Sequence, residues 1–171
     1  NNYMSVEFHY YQPWSYAGYP NTGDRYDYWG DKYKEAGENV PKENENWMTT
    51  FFEDVVKTWS KQGLGIVIGE WGVTNRYNSD PEKVHANMNY YCNFLTKEAH
   101  DRGFSTFVWD NNKFKYGPEN YGIFDRGNSM KVNAPWILNG INKPEGLNGY
   151  EDISIKHCVN AGKIFAESNP Y

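Results

Sequence analysis

The sequence predicts an α/β fold built on parallel strands, on three observations. The stretch Gly65 to Gly72, GIVIGEWG, is a near-continuous apolar run through Ile66, Val67 and Ile68, the pattern of a strand buried on both faces. Apolar residues recurring at helical spacing flank it on both sides. Strand-like segments lie at either end of this arrangement, and the order strand, helix, strand, helix, strand specifies parallel pairing with right-handed crossovers.

From Met4 to Tyr11, Met4, Val6 and Phe8 alternate with Ser5, Glu7 and His9. This predicts the first strand, ended by Pro13, with His9 and Tyr11 on one face. Residues Gln12 to Asn46 hold Trp14, Tyr16, Tyr19, Tyr26, Tyr28, Trp29 and Tyr33 among Gly, Pro, Asn and Asp. A long loop without structure of its own is functional or disordered, and disordered segments are poor in aromatics, so a binding loop is expected. Asn46 is expected to cap the first helix, whose stripe of Trp47, Phe51, Val55 and Trp59, with Met48, Phe52 and Val56, ends near Gly63. After the central strand, Asp80 and Pro81 form an N-cap and first-turn pair. Val84, Met88, Tyr91, Cys92, Leu95 and Ala99 mark the buried face of the second helix, and Gly103 stops it. FSTFVW, Phe104 to Trp109, is the third strand. Asp110 to Met130 reads as a turn-rich loop, Ala134 to Ile141 as a short helix with Pro135 in its first turn, and Ile153 to Phe165 as a packing helix after a Gly- and Asn-rich stretch.

The chain carries 22 acidic and 17 basic residues with no basic run, which argues against nucleic acid and anionic membranes and leaves uncharged polymers as partners. No apolar run reaches membrane-spanning length. Aromatics make up 18% of the chain, and many fall in loops, where flat rings suit the C–H faces of sugars. His9, His85, His100 and His157 are scattered, with no HExxH or Cys/His cluster, so no metal is expected. Cys92 and Cys158 are expected to be buried or free thiols, with a disulfide the lesser alternative.

Three successive strands end in His9 with Tyr11, in Glu70, and in Trp109, all at the same end of a parallel sheet. In parallel α/β folds that end builds the active site. Glu70 fits the nucleophile of a retaining glycosidase, with Tyr11 and His9 orienting it; a tyrosine hydroxyl donating to a carboxylate favours its ionised form. For Glu70 alone the competing reading is a structural ion pair, and for His9 alone a satisfied core histidine.

HYYQPW at His9 to Trp14, IVIGEWG at Ile66 to Gly72, and FVWDNNKF with GIFDR at Phe107 to Phe114 and Gly122 to Arg126 resemble the last three strand ends of glycoside hydrolase family 5. The resemblance covers most of residues 4–141. It implies the C-terminal portion of a (β/α)8 TIM barrel with about three parallel strands, residues 1–142 forming C-terminal βα units. Residues 143–171, which the resemblance does not reach, are expected to form an extension with a packing helix. It implies an endo-β-1,4-glucanase of the cellulase type, with Glu70 as nucleophile, His9 and Tyr11 as the His-x-Tyr pair beside it, and Trp109 flooring the subsite of the sugar to be cleaved. Trp14, Trp29 and Asn111 are weaker candidates for cleft contacts. Cellulose, mixed-linkage glucan and xyloglucan are the expected substrates, no cofactor is implied, and a polymeric substrate implies secretion.

One family feature is absent. The family's proton donor is a glutamate in an Asn-Glu-Pro motif at the fourth strand, and no such motif occurs here. Asn44-Glu45-Asn46 is expected in a loop before a helix and is no substitute. Glu7 is expected roughly 7 Å below His9 at about 3.3 Å per residue, too deep to flank Glu70. The expectation is therefore a barrel completed by an N-terminal half, on a missing segment or second chain, that holds the acid/base. The alternatives are a non-catalytic glucan-binding protein and a mannanase or xylanase of the same fold.

Overall fold

The computed structural model describes residues 4–76 and 78–142. Strands β1 (Ser5–Tyr10), β2 (Gly65–Trp71) and β3 (Ser105–Val108) form one sheet in the order β1-β2-β3, with both pairings parallel. The crossover from β1 to β2 contains the short helices α1 (Trp14–Ala17) and α2 (Asp31–Glu35) and the longer α3 (Glu45–Thr58); α4 (Pro81–Asp101) makes the second crossover. A small antiparallel pair, β4 (Phe124–Asp125) with β5 (Lys131–Val132), and helix α5 (Pro135–Asn142) follow β3. The turn-rich reading of residues 110–130 did not anticipate that pair. The packing helix expected at Ile153 to Phe165, the extension that contains it, and Cys158 lie outside the described residues.

The core lies between the sheet and its helices. Phe8 and Tyr10 project from β1 onto Phe51 and Phe52 of α3, with ring centroids 5.1 to 6.4 Å apart. Ile66, Ile68 and Trp71 on β2 are buried with them. Burying aliphatic and aromatic side chains of this size stabilises the fold by about 1.5–3 kcal/mol each. On α4 the six expected apolar positions are all buried, joined by Asn87 and Thr96. Asp80 caps that helix by accepting from the Lys83 N–H at 3.0 Å. Gly103, at φ 72°, supplies the left-handed residue that ends it. Gly140 lets α5 lie against α4, because a Cβ there would meet the Asn89 carbonyl and the Cβ of Cys92.

The cap of α3 is Asn44, whose side chain accepts from the Trp47 N–H at 3.2 Å, two residues before the expected Asn46. Glu45 therefore belongs to the first turn. Its carboxylate accepts from the Asp31 N–H at 2.8 and 3.0 Å and from the Tyr90 hydroxyl at 2.8 Å, tying α2 to α3 and α4. The expected stripe on α3 is also divided: Met48 and Phe52 are buried, while Trp47, Phe51 and Trp59 stay exposed.

The segment from Gln12 to Asn46 differs from its reading as a binding loop. Tyr16, Tyr28, Trp29 and Tyr33 are buried, and Tyr16 and Trp29 pack on Tyr91 of α4 with centroids 5.2 and 5.0 Å apart. These aromatics extend the core over the top of α4. Their clasp is Arg76, 1% exposed, whose guanidinium donates to the carbonyls of Thr74, Tyr26 and Tyr16 at 3.3, 2.7 and 2.5 Å and lies 4.1 Å from the Tyr16 ring centroid. Three carbonyls and an aromatic face replace the water a buried cation loses.

Candidate active site

The C-terminal end of the sheet owes its chemistry to one irregularity. Ile66 and Ile68 face the helices, so strict alternation would turn Glu70 the same way. The register instead shifts: Phe8 pairs with Ile68, but His9 pairs with Glu70. Gly69 is the extra residue of this bulge, and the parity change brings Glu70 to the face of His9 while returning Trp71 to the core beside Tyr10. A glycine inside a strand is the sequence signal for such a bulge. Gly69 is also a place of close approach, since a Cβ there would collide with the Glu7 carboxylate.

Glu70, with its side chain 32% exposed, holds two partners on one oxygen. The Tyr11 hydroxyl donates to Oε2 at 3.2 Å, and His9 Nδ1 lies 3.4 Å from the same atom. Burial and the adjacent carboxylate push the Tyr11 phenol well above its ordinary range, so it stays protonated as a donor. Among the described residues no hydrogen bond or ion pair engages Oε1 of Glu70.

Glu7 reaches further than its strand position implied. Its Oε1 lies 3.1 Å from His9 Nε2, so one imidazole spans Glu7 and Glu70. Backbone rise sets Glu7 deeper along the strand than His9, and its side chain spans that interval by lying over the side-chain-free Gly69.

An open cleft of about 380 Å³ lies beside Glu70, lined by Tyr11, Trp14, Trp109, Asn111, Lys113, Glu119 and Tyr121. Trp14 and Trp109, 42% and 41% exposed, lie among the residues that line it. Trp109 continues the sheet through its N–H to the Trp71 carbonyl at 2.7 Å. Trp14 sits just after the cis Gln12–Pro13 peptide, against Tyr11 at 6.2 Å. It is held by the Tyr91 hydroxyl on the Gln12 carbonyl and by the Thr74 N–H on the Ala17 carbonyl. Asn111 lines the cleft, but its amide organises the loop below: it donates to the Glu119 carbonyl and accepts from the Lys113 and Tyr121 N–H groups.

Trp29 does not join them. It is fully buried, its indole N–H donating to the Glu43 carbonyl at 2.7 Å, and it belongs to the core above α4. Lys113, Glu119 and Tyr121 were not anticipated as lining residues, because a turn-rich stretch carries no periodicity that says which side chains face inward. A larger recess of about 510 Å³ between α3 and α4, lined by residues including Glu53, Lys57, Glu98 and Arg102, lacks an aromatic surface and any strand-end residue. Among the described residues no group of three His, Cys, Asp or Glu is placed to hold a metal ion, and no helix is long and apolar enough to cross a membrane.

Comparison with known proteins gives a consistent set. The family model for cellulase, glycosyl hydrolase family 5, matches residues 1–115. The chain is 31% identical over 124 residues to an endoglucanase B of Clostridium cellulovorans, covering 72% of this chain and 24% of that protein. It is 28% identical over 143 residues to the cellulase/esterase CelE of Acetivibrio thermocellus, covering 83% and 15%. Among solved structures, it resembles a family 5 xyloglucan-specific beta-1,4-glucanase from a ruminal metagenomic library, in complex with XXLG, with a TM-score of 0.70, 26% identity, and 80% and 37% of the two chains covered. A broad-specificity endoglucanase from Clostridium acetobutylicum gives a TM-score of 0.64 at 25% identity, covering 80% and 36%. The chain thus spans about a third or less of the length of these relatives, and its three parallel strands with their helices are a partial TIM barrel.

Proposed function

The chain belongs to the cellulase family, glycosyl hydrolase family 5, and on that premise we propose that it carries the nucleophile side of a retaining endo-glycosidase acting on β-1,4-glucans such as cellulose, mixed-linkage glucan or xyloglucan. The observation that carries the reading is the convergence of Tyr11 and His9 on one oxygen of Glu70 beside a cleft edged by exposed tryptophans.

With Oε2 occupied, Oε1 of Glu70 is the oxygen that attacks the anomeric carbon. A bond forms from it to that carbon, and the bond from the carbon to the departing glycosidic oxygen breaks. That oxygen takes a proton from a carboxylic acid, and water then hydrolyses the glycosyl ester. Trp109 and Trp14 supply stacking surfaces for sugar rings. The acid/base lies outside this chain, in an N-terminal half of the same barrel: three strands supply part of an eight-stranded architecture, and no Asn-Glu-Pro motif occurs here. A polymeric substrate places the enzyme outside the cell.

The test is covalent trapping. A 2-fluoro-cellobioside with a dinitrophenyl leaving group needs little acid assistance, so it interrogates the nucleophile alone. Incubated with the completed barrel, it is expected to label this chain at Glu70, as read by intact mass and peptide mapping. The absence of label, with glucan binding retained in both the parent and Glu70→Gln, would assign the cleft to a non-catalytic glucan-binding protein.

A further inference from the structure

We infer that Glu7 is a positioning residue for the nucleophile, acting through His9, an inference that rests on Glu70 being that nucleophile. Each nitrogen of the His9 ring faces a carboxylate oxygen, Nε2 towards Glu7 at 3.1 Å and Nδ1 towards Glu70 at 3.4 Å. Two carboxylates thus hold one imidazole from opposite sides, with Tyr11 donating to the second of them.

The second observation is the fit over Gly69. The Glu7 carboxylate occupies the space a Cβ at position 69 would fill, so glycine there leaves the room from which Glu7 reaches His9. That same residue is the bulge that turns Glu70 towards His9. One glycine thus admits both carboxylates to opposite sides of one imidazole.

The function of Glu7 follows from the charge changes of the reaction. When Glu70 becomes a glycosyl ester it loses its negative charge, and a ring oriented by Glu70 alone would lose its hold. Glu7 keeps the ring in place, so Nδ1 still faces Oε2 when water releases the sugar and the carboxylate reforms. Glu7 touches neither sugar nor reacting atom, and it is not the missing acid/base.

The experiment uses the completed enzyme with 15N-labelled histidine, in the parent, Glu7→Gln and Gly69→Ala forms. Glu7→Gln, equal in shape but uncharged, is expected to shift the signal of the His9 Nε2 that faces position 7 and to slow both trapping and turnover about tenfold. Gly69→Ala, whose Cβ displaces the carboxylate from its place over the strand, is expected to move the same signal. Identical His9 signals in parent and Glu7→Gln would overturn the inference. If the parent is never labelled at Glu70, the nucleophile reading fails, while the His9 spectra still decide whether Glu7 governs the imidazole.

Discussion

The two faces of the three-stranded sheet are made by neighbouring residues and have opposite chemistry. On the helix side, Tyr10, Ile66, Ile68 and Trp71 are at most 4% exposed and pack against α3 and α4. On the other side, the side chains of Glu7, His9 and Glu70 are 50%, 51% and 32% exposed and linked to one another. Alternation along β1 separates the two sets; on β2 the separation needs the bulge at Gly69. Buried apolar packing is concentrated on one face and ionisable groups on the other, so a substitution on either face should disturb one property and spare the other.

The largest separation is expected at Glu70. In the completed barrel Glu70→Gln should reduce turnover about 10⁴-fold, roughly 5 kcal/mol of transition-state stabilisation, with the melting temperature and glucan binding nearly unchanged. A parallel collapse of the melting temperature would show that the carboxylate is structural. The converse is Phe52→Ala on the helix side, which removes a ring packed on Phe8, Tyr10 and Phe104. It should cost about 3–5 kcal/mol in denaturant unfolding, while the protein that remains folded keeps its trapping rate at Glu70.

Arg76 sharpens the comparison because it lies in the core yet holds the segment carrying Trp14. Arg76→Met should cost about 3 kcal/mol by leaving buried carbonyls unpaired, and should raise KM more than it lowers kcat. An unchanged KM would detach the clasp from the cleft.

Alkaline pH offers a titration that reaches the buried side. Burial pushes the phenols of Tyr10, Tyr16 and Tyr91 above their ordinary range. In the unfolded chain they ionise near 10, so the folded state retains protons that the unfolded state has released. Stability is therefore fully present below pH about 10 and falls as pH rises beyond it, by about 1.4 kcal/mol per pH unit for each such tyrosine. Chemical denaturation across pH 9 to 12 measures the slope, and a flat profile would mean that these phenols are not protected by folding. The smallest effect expected is at Tyr11. Tyr11→Phe removes one of the two partners of Oε2 and should slow trapping about fivefold, about 1 kcal/mol; a loss as large as that of Glu70→Gln would make Tyr11 a participant in the chemistry itself.

Much of this was legible in the residues, for identifiable reasons. The α4 pattern was readable because one helix face meets one core, so spacing alone marks Val84, Met88, Tyr91, Cys92, Leu95 and Ala99. Motif order along the chain placed His9, Tyr11, Glu70 and Trp109 at one sheet end, since parallel strands align their C-termini. Trp29 was misjudged because loop composition does not say whether an aromatic faces solvent or a neighbouring helix. Asn44 rather than Asn46 caps α3, a choice residue type alone cannot make because both are asparagine, and Glu45 between them meets the Asp31 N–H and the Tyr90 hydroxyl from distant parts of the chain.

The sequence by itself determined the class of fold, the parallel order of its strands and the chemical kind of its strand ends, because periodicity and motif order are local properties. Only the tertiary structure decided that Glu70 turns towards His9, that Glu7 reaches the same imidazole across Gly69, and that Arg76 draws the aromatic segment into the core. Each of those depends on a contact between residues far apart in the chain, set by register and by the space one side chain leaves for another.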